Sequence, residues 1–236
     1  MLPTIATSKT SEMLQWRAGF WQFAHRGLGP VLAGVSDRSC DLAALQAQLP
    51  ARQMVMAEQV HGASIAAVGG DVAATSIPGC DALATSMRGV ALVIRTADCL
   101  PIIVWDPVQR VVAAAHAGWR GLAARLPMRL VSFLRQTYQS QPEDLWVGIG
   151  PAIRACCYDV GEEFMARFAP FVQQTDGRLT CDLVGCAVDH FRSSGVRPAR
   201  LLDSGSCTAC QSDRWYSVRR EGEASGRLLS FILIRR

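Results

Sequence analysis

Asparagine is missing from all 236 residues, and lysine occurs once, at Lys9. Without asparagine, neither a Cys-His-Asn triad nor N-glycosylation is possible. The scarcity of lysine leaves 23 of the 24 basic side chains as arginine, against 20 acidic ones, for a net charge of +4. These arginines form no dense run, so a nucleic-acid partner that needs a basic patch is not indicated. No stretch of 18 apolar residues occurs, so no membrane-spanning helix is expected. The opening MLPTIATSKTSEMLQW lacks the basic start and apolar run of a secretory signal, and the expected location is cytoplasmic. No GxGxxG follows a strand-like run, which argues against a dinucleotide-binding fold. Internal repeats, low-complexity tracts and linker-like stretches are also absent.

What is present is a globular composition, with half the residues hydrophobic and 19% charged. That is too apolar for a disordered chain and too weakly charged for a coiled coil. Nine cysteines, at 40, 80, 99, 156, 157, 181, 186, 207 and 210, make an odd number, so a disulfide framework is not expected.

The first 50 residues are weakly patterned, with a short helix expected over 41–49. From residue 54 onward, strand-like and helix-like segments alternate. Strands are expected at 90–96, 101–105, 111–115, 145–149, 201–202 and 228–234, with 215–218 pairing against the last. A helix is expected over 121–138, where apolar residues at 122, 126, 130, 133 and 134 keep a helical period and Pro127 kinks it or delays its start. Helices are also expected at 160–168 and 183–193. This mixed order indicates an α+β or mixed-sheet domain.

Only four histidines occur: 25, 61, 116 and 190. His61 lies in AEQVHG, Cys99 in TADCLP and His116 in VVAAAHAGWRG, each where a strand-like run meets Gly or Pro. Strand ends of this kind meet in clefts. Two imidazoles and a thiolate suit zinc and leave a fourth position for water. The spacings, 38 residues and then 17, follow no local metal motif, so a separate structural role for each residue stays open. HAGWRG offers a second feature. Arg120 sits in the first turn of a helix, where a cation opposes the helix dipole, and anion binding would explain its place. CTAC, residues 207–210, has no second pair at zinc-finger spacing and reads as structural. Cys156 and Cys157 are adjacent, and in an extended segment their side chains would point apart. Arg219, Arg220 and Arg227 form a basic cluster, either a solvated face or a contact for an anionic substrate.

EQVHG, CDALAT, TADCLPI, HAGWRG, GIGPAI with CCYDVG, CT, and YSVRREGEASGR occur in that order. On these motifs, from about residue 56 to 234, the chain resembles the YfiH family, also called the laccase-domain, polyphenol oxidase or peptidoglycan-editing-factor family. The resemblance implies a single α+β domain over 1–236, mixed sheets flanked by helices, similar to the catalytic domain of cytotoxic necrotizing toxins. Residues 54–236 match the pattern. Residues 1–53 diverge, with only AHRGLG and AGVSDRS where members carry T-R-x-G-G-V-S, N-L-G and N-R stretches. The resemblance implies that His61, Cys99 and His116 hold zinc. Cys99, His116 and Arg120 are the expected catalytic residues, with Arg120 and the turn at 118–121 read from the residues as the cradle for phosphate. It implies a purine nucleoside phosphorylase acting on adenosine, inosine and methylthioadenosine, with adenosine deaminase activity. Its small-molecule partners would be a purine nucleoside and phosphate. A carboxyl must then carry a proton, and Glu58, Asp81 and Asp98 are the candidates. Alternatives are a copper-dependent polyphenol oxidase, a Cys-His hydrolase acting on peptidoglycan precursors, and an inactive paralog.

Overall fold

Strands buried on both faces read as continuous apolar runs rather than alternating ones. VALVIRT, LPIIVWD, VVAAAHA and LLSFILI are such runs, and in the computed structural model each is a seven-residue strand at the centre of a sheet. The structure describes residues 14–17, 20–25, 28–70, 75–175 and 177–236. The N-terminal stretch up to residue 13, and Arg26 and Gly27 of AHRGLG, lie outside the described residues.

The strands in chain order are β1 (Leu14–Arg17), β2 (Phe20–Phe23), β3 (Val31–Val35), β4 (Gln53–Glu58), β5 (Ile65–Ala67), β6 (Ser76–Pro78), β7 (Ala82–Thr85), β8 (Val90–Thr96), β9 (Leu100–Asp106), β10 (Val111–Ala117), β11 (Trp146–Ile149), β12 (Val172–Thr175), β13 (Arg178–Cys181), β14 (Leu201–Asp203) and β15 (Leu228–Ile234). The helices are α1 (Leu42–Gln48), α2 (Trp119–Ala123), α3 (Leu126–Tyr138), α4 (Met165–Phe168), α5 (Leu183–Ser193) and α6 (Val218–Glu221).

A seven-stranded sheet runs in the order β1-β2-β3-β15-β8-β4-β6, and a six-stranded sheet in the order β14-β11-β9-β10-β7-β5. Both are mixed: β4 runs parallel to β8, whereas β9 and β10 are antiparallel. The two sheets pack face to face over Val55, Leu92 and Ile232 on one side and Ile103, Trp105 and Val112 on the other. The far face of the six-stranded sheet is covered by α3 and α5 through Leu130, Leu134, Val184 and Phe191. The far face of the seven-stranded sheet is covered by α1 through Leu45. The result is four layers with three apolar seams, an α+β arrangement.

Three expectations change in detail. The helix expected over 121–138 is two helices. Arg125 between them takes a left-handed conformation (φ 58°), and Pro127 falls in the first turn of α3, where its missing N–H costs nothing. Residues 160–168 hold a short 3₁₀ turn followed by the four-residue α4 rather than one helix. Residues 215–218 are not a strand: the Ser217 hydroxyl accepts from the Arg220 N–H and starts α6.

Candidate functional site

The antiparallel register of β9 and β10 pairs His116 with Pro101 and Ala117 with Leu100. Cys99, one residue before β9, therefore arrives at the same sheet end as His116. His61 comes from the other sheet, in the loop after β4. Gln59 fixes that loop to β8, donating to the Arg95 carbonyl (2.7 Å) and accepting from the Arg95 N–H (2.8 Å). The His61, Cys99 and His116 ligand atoms lie within 4.8 Å of one another, and the two imidazoles meet edge to face.

Asp81 organises this meeting from behind. It is fully buried, and its carboxylate accepts from the N–H groups of Val60 (3.3 Å), His61 (3.0 Å) and Gly62 (2.6 Å). It also lies 2.8 Å from His116 Nδ1, which turns Nε2 toward the cluster. One carboxylate thus bends the His61 loop and orients His116. His61 itself is left-handed (φ 59°), a conformation that needs such support. Gly118 supplies room: a Cβ there would stand 3.0 Å from the Cys99 sulfur.

These contacts set the charge state. Burial pushes the Cys99 thiol up, but hydrogen bonds and charge from His116 and His61 outweigh it and leave a pKa of about 7. Burial pushes His116 down, while Asp81 and Cys99 raise it to about 9. Burial also works against the Asp81 charge, and its bonds to His116 and the 60–62 backbone still hold the carboxyl below its ordinary value. Between about pH 7 and 9 the metal-free cluster therefore pairs a thiolate with an imidazolium.

The three side chains open onto a cleft of about 890 Å³. Four guanidinium groups line it, from Arg95, Arg120, Arg219 and Arg227. Two of them lie over aromatic faces, Arg120 on Trp119 (4.4 Å) and Arg219 on Tyr158 (5.0 Å), so they are held in place before any ligand arrives. Asp98 and Glu223 also face this space.

Against known proteins, the family model described as "Multi-copper polyphenol oxidoreductase laccase" matches residues 35–235. The chain belongs to this laccase family. The chain is similar to purine nucleoside phosphorylase YlmD of Geobacillus stearothermophilus, 34% identical over 199 residues that make up 78% of this chain and 73% of that protein. It is also similar to adenosine deaminase RL5 of an unknown prokaryotic organism, 29% identical over 206 residues, 80% of this chain and 78% of that protein. The crystal structure of YlmD from G. stearothermophilus superposes with a TM-score of 0.87 at 28% identity, covering 95% of this chain and all of that one.

In this laccase-family chain the three carboxyl candidates have different fates. The Ser76 hydroxyl donates to Glu58 (2.8 Å) at a sheet edge. Asp81 stands behind His116. Asp98, left-handed at φ 83°, accepts from Thr208 Oγ1 (2.6 Å) and from the Arg219 N–H (2.7 Å), and it alone of the three lines the cleft. The basic cluster divides: Arg219 and Arg227 reach the cleft, while Arg220 donates to the carbonyls of Thr208, Ala209 and Trp215. His25 and His190 lie elsewhere, His25 against Trp146 and His190 near Cys186. Arg95 was not singled out from sequence. Its signal was there, as the single charge in the otherwise buried run of β8.

The expectation that Cys156 and Cys157 point apart does not hold. They sit in a turn, not an extended segment, and join Cys207 and Cys210 in a second group whose sulfurs all lie within 4.8 Å of one another. Among the described residues, no helix is long and apolar enough to cross a membrane.

Proposed function

We propose that this chain is a purine nucleoside phosphorylase acting on adenosine, inosine and methylthioadenosine, with adenosine deaminase activity. We further propose that His61, Cys99 and His116 hold zinc, that residues 1–236 form one domain, and that the catalytic pattern lies in 54–236. The observation that carries this reading is the convergence of His61, Cys99 and His116 on an arginine-lined cleft. The names of two relatives, a purine nucleoside phosphorylase and an adenosine deaminase, support the same chemistry.

The donor set fits the metal. Imidazole and thiolate are preferred zinc ligands, three of them leave a position open, and a carboxylate behind a ligating histidine fixes its tautomer. Asp81 is that carboxylate for His116. Bound zinc supplies Lewis acidity and brings the pKa of a water toward neutral. The protein's own groups do the rest. Arg120, Arg219, Arg95 and Arg227 gather charge for phosphate, the co-substrate of phosphorolysis. Asp98 is the carboxyl placed to take up a proton in the cleft. A multicopper oxidase needs more imidazoles than meet here, because two of the four histidines lie away from the cluster.

One observation favours a second reading. Asp81, His116 and Cys99 stand in line as carboxylate, imidazole and thiol, the order of a Cys-His hydrolase. Adenosine incubated with the full chain, with and without phosphate, separates the readings. Adenine and ribose 1-phosphate are expected only with phosphate, and inosine in either case, both abolished by a chelator. Phenol oxidation without nucleoside turnover would establish the copper alternative. An activity that survives the chelator but dies on thiol alkylation would establish the hydrolase.

A further inference from the structure

None of the four cysteines of the second group lines the cleft. We propose that Cys156, Cys157, Cys207 and Cys210 form a second metal site, a closed four-thiolate tetrahedron that takes zinc. The geometry fits. Sulfurs about 2.3 Å from one tetrahedral zinc stand about 3.8 Å apart. Here Cys210 Sγ lies 3.6 Å from Cys156 Sγ and 3.4 Å from Cys157 Sγ, and all four sulfurs fall within 4.8 Å of one another. These spacings are far longer than the roughly 2.05 Å of a disulfide, and all four thiols are free.

The local backbone explains how adjacent cysteines share one centre. Cys157 N–H and Tyr158 N–H both donate to the Arg154 carbonyl (2.9 Å each), which makes residues 154–158 a helical turn. Successive side chains there diverge by about 100° instead of 180°. The two loops are held side by side before any ion binds. Ala152 bridges Cys207, the Thr208 N–H donates to the Ala152 carbonyl (3.1 Å), and Arg154 Nε donates to the Ser206 carbonyl (3.2 Å). Binding would displace the thiol protons to solvent.

With four protein ligands the site has no open position, so its role is structural. It fastens the loop carrying Tyr158 to the loop carrying Thr208. Thr208 in turn holds Asp98, beside Cys99, and Asp98 holds the Arg219 N–H. The ion would brace one rim of the cleft.

The test is zinc per chain by elemental mass spectrometry on the full chain, purified under reducing conditions. Cys99→Ala protein is expected to keep about one zinc, and adding Cys207→Ser with Cys210→Ser in that background to remove it. The Cys207→Ser, Cys210→Ser pair alone should lose about one zinc relative to the parent. Zinc content of the Cys99→Ala protein unchanged by the two serines would overturn the proposal. So would a Cys99→Ala chain without metal, two mass units light for a disulfide among these thiols. If the serine variants do not fold, cobalt loaded into Cys99→Ala protein reads the same site. An intense sulfur-to-cobalt charge-transfer band with tetrahedral d–d absorption is expected, and a weak octahedral spectrum would overturn it. Should only the paired serines change the zinc content of the parent chain, this site stands and the His61–Cys99–His116 assignment fails.

Discussion

Two sulfur-bearing clusters are linked through the Thr208–Asp98 hydrogen bond, and they are built differently. The first draws His61, Cys99 and His116 from the ends of both sheets, is backed by the buried Asp81, and opens onto four arginines. The second draws four chemically equal thiols from two neighbouring loops, with two of them exposed and none lining the arginine-bearing cleft. A mixed donor set with a carboxylate behind it and an open face is built for chemistry. A uniform, saturated donor set is built to hold chain together. If both proposals hold, ligand-type residues alone do not mark an active site. What surrounds them does.

The largest effect that sharpens this contrast is Cys99→Ala, which should reduce both phosphorolysis and deamination to the level of a blank while leaving the fold intact by circular dichroism. Substantial activity in that variant would break the contrast outright. Next is Arg120→Ala. A charge-assisted hydrogen bond is worth roughly 1.5–3 kcal/mol, or about 10- to 150-fold in rate. That loss should fall on phosphorolysis of inosine and spare deamination of adenosine, with partial rescue at high phosphate. Equal loss of both, insensitive to phosphate, would mean that Arg120 holds the nucleoside or the fold.

Asp81→Asn keeps the shape but removes the charge that orients His116, and a partner of this kind is worth about 10- to 100-fold in metal affinity or activity. Zinc competition with a chromophoric chelator measures it. The smallest effect is one of reactivity. In metal-stripped protein, Cys99 should alkylate with half-maximal rate near pH 7, because its thiol becomes thiolate above that pH. Cys156, pushed up to about 11 chiefly by burial and then by its sulfur neighbours, should stay unreactive there. Peptide mass spectrometry from pH 5 to 9 would record both, and equal rates at pH 7 would erase the difference between the clusters.

The central strands and α3 and α5 were legible because buried runs and helical periodicity are local signals. His61, Cys99 and His116 were legible as residue types at strand ends, but their meeting depends on the β9–β10 register and on a loop from the other sheet. Asp81 was visible only as one of three carboxyls, since nothing in CDALAT says that it accepts three backbone N–H groups 19 to 21 residues upstream. The second cluster was hidden by an assumption of extended backbone at Cys156–Cys157. A turn of five residues reverses that geometry and leaves no periodic trace. The strand expected at 215–218 failed for a related reason: WYSV has strand-like composition, yet the Ser217 cap decides for a helix.

The proposed chemistry rests on zinc held by His61, Cys99 and His116. Anomalous diffraction from crystals of the full chain grown without added metal, collected on both sides of the zinc and copper edges, tests it most directly. A zinc-edge peak is expected about 2.3 Å from the Cys99 sulfur and about 2.0–2.1 Å from one nitrogen of each histidine. A peak there that follows the copper edge, or no peak between these three side chains, would contradict it.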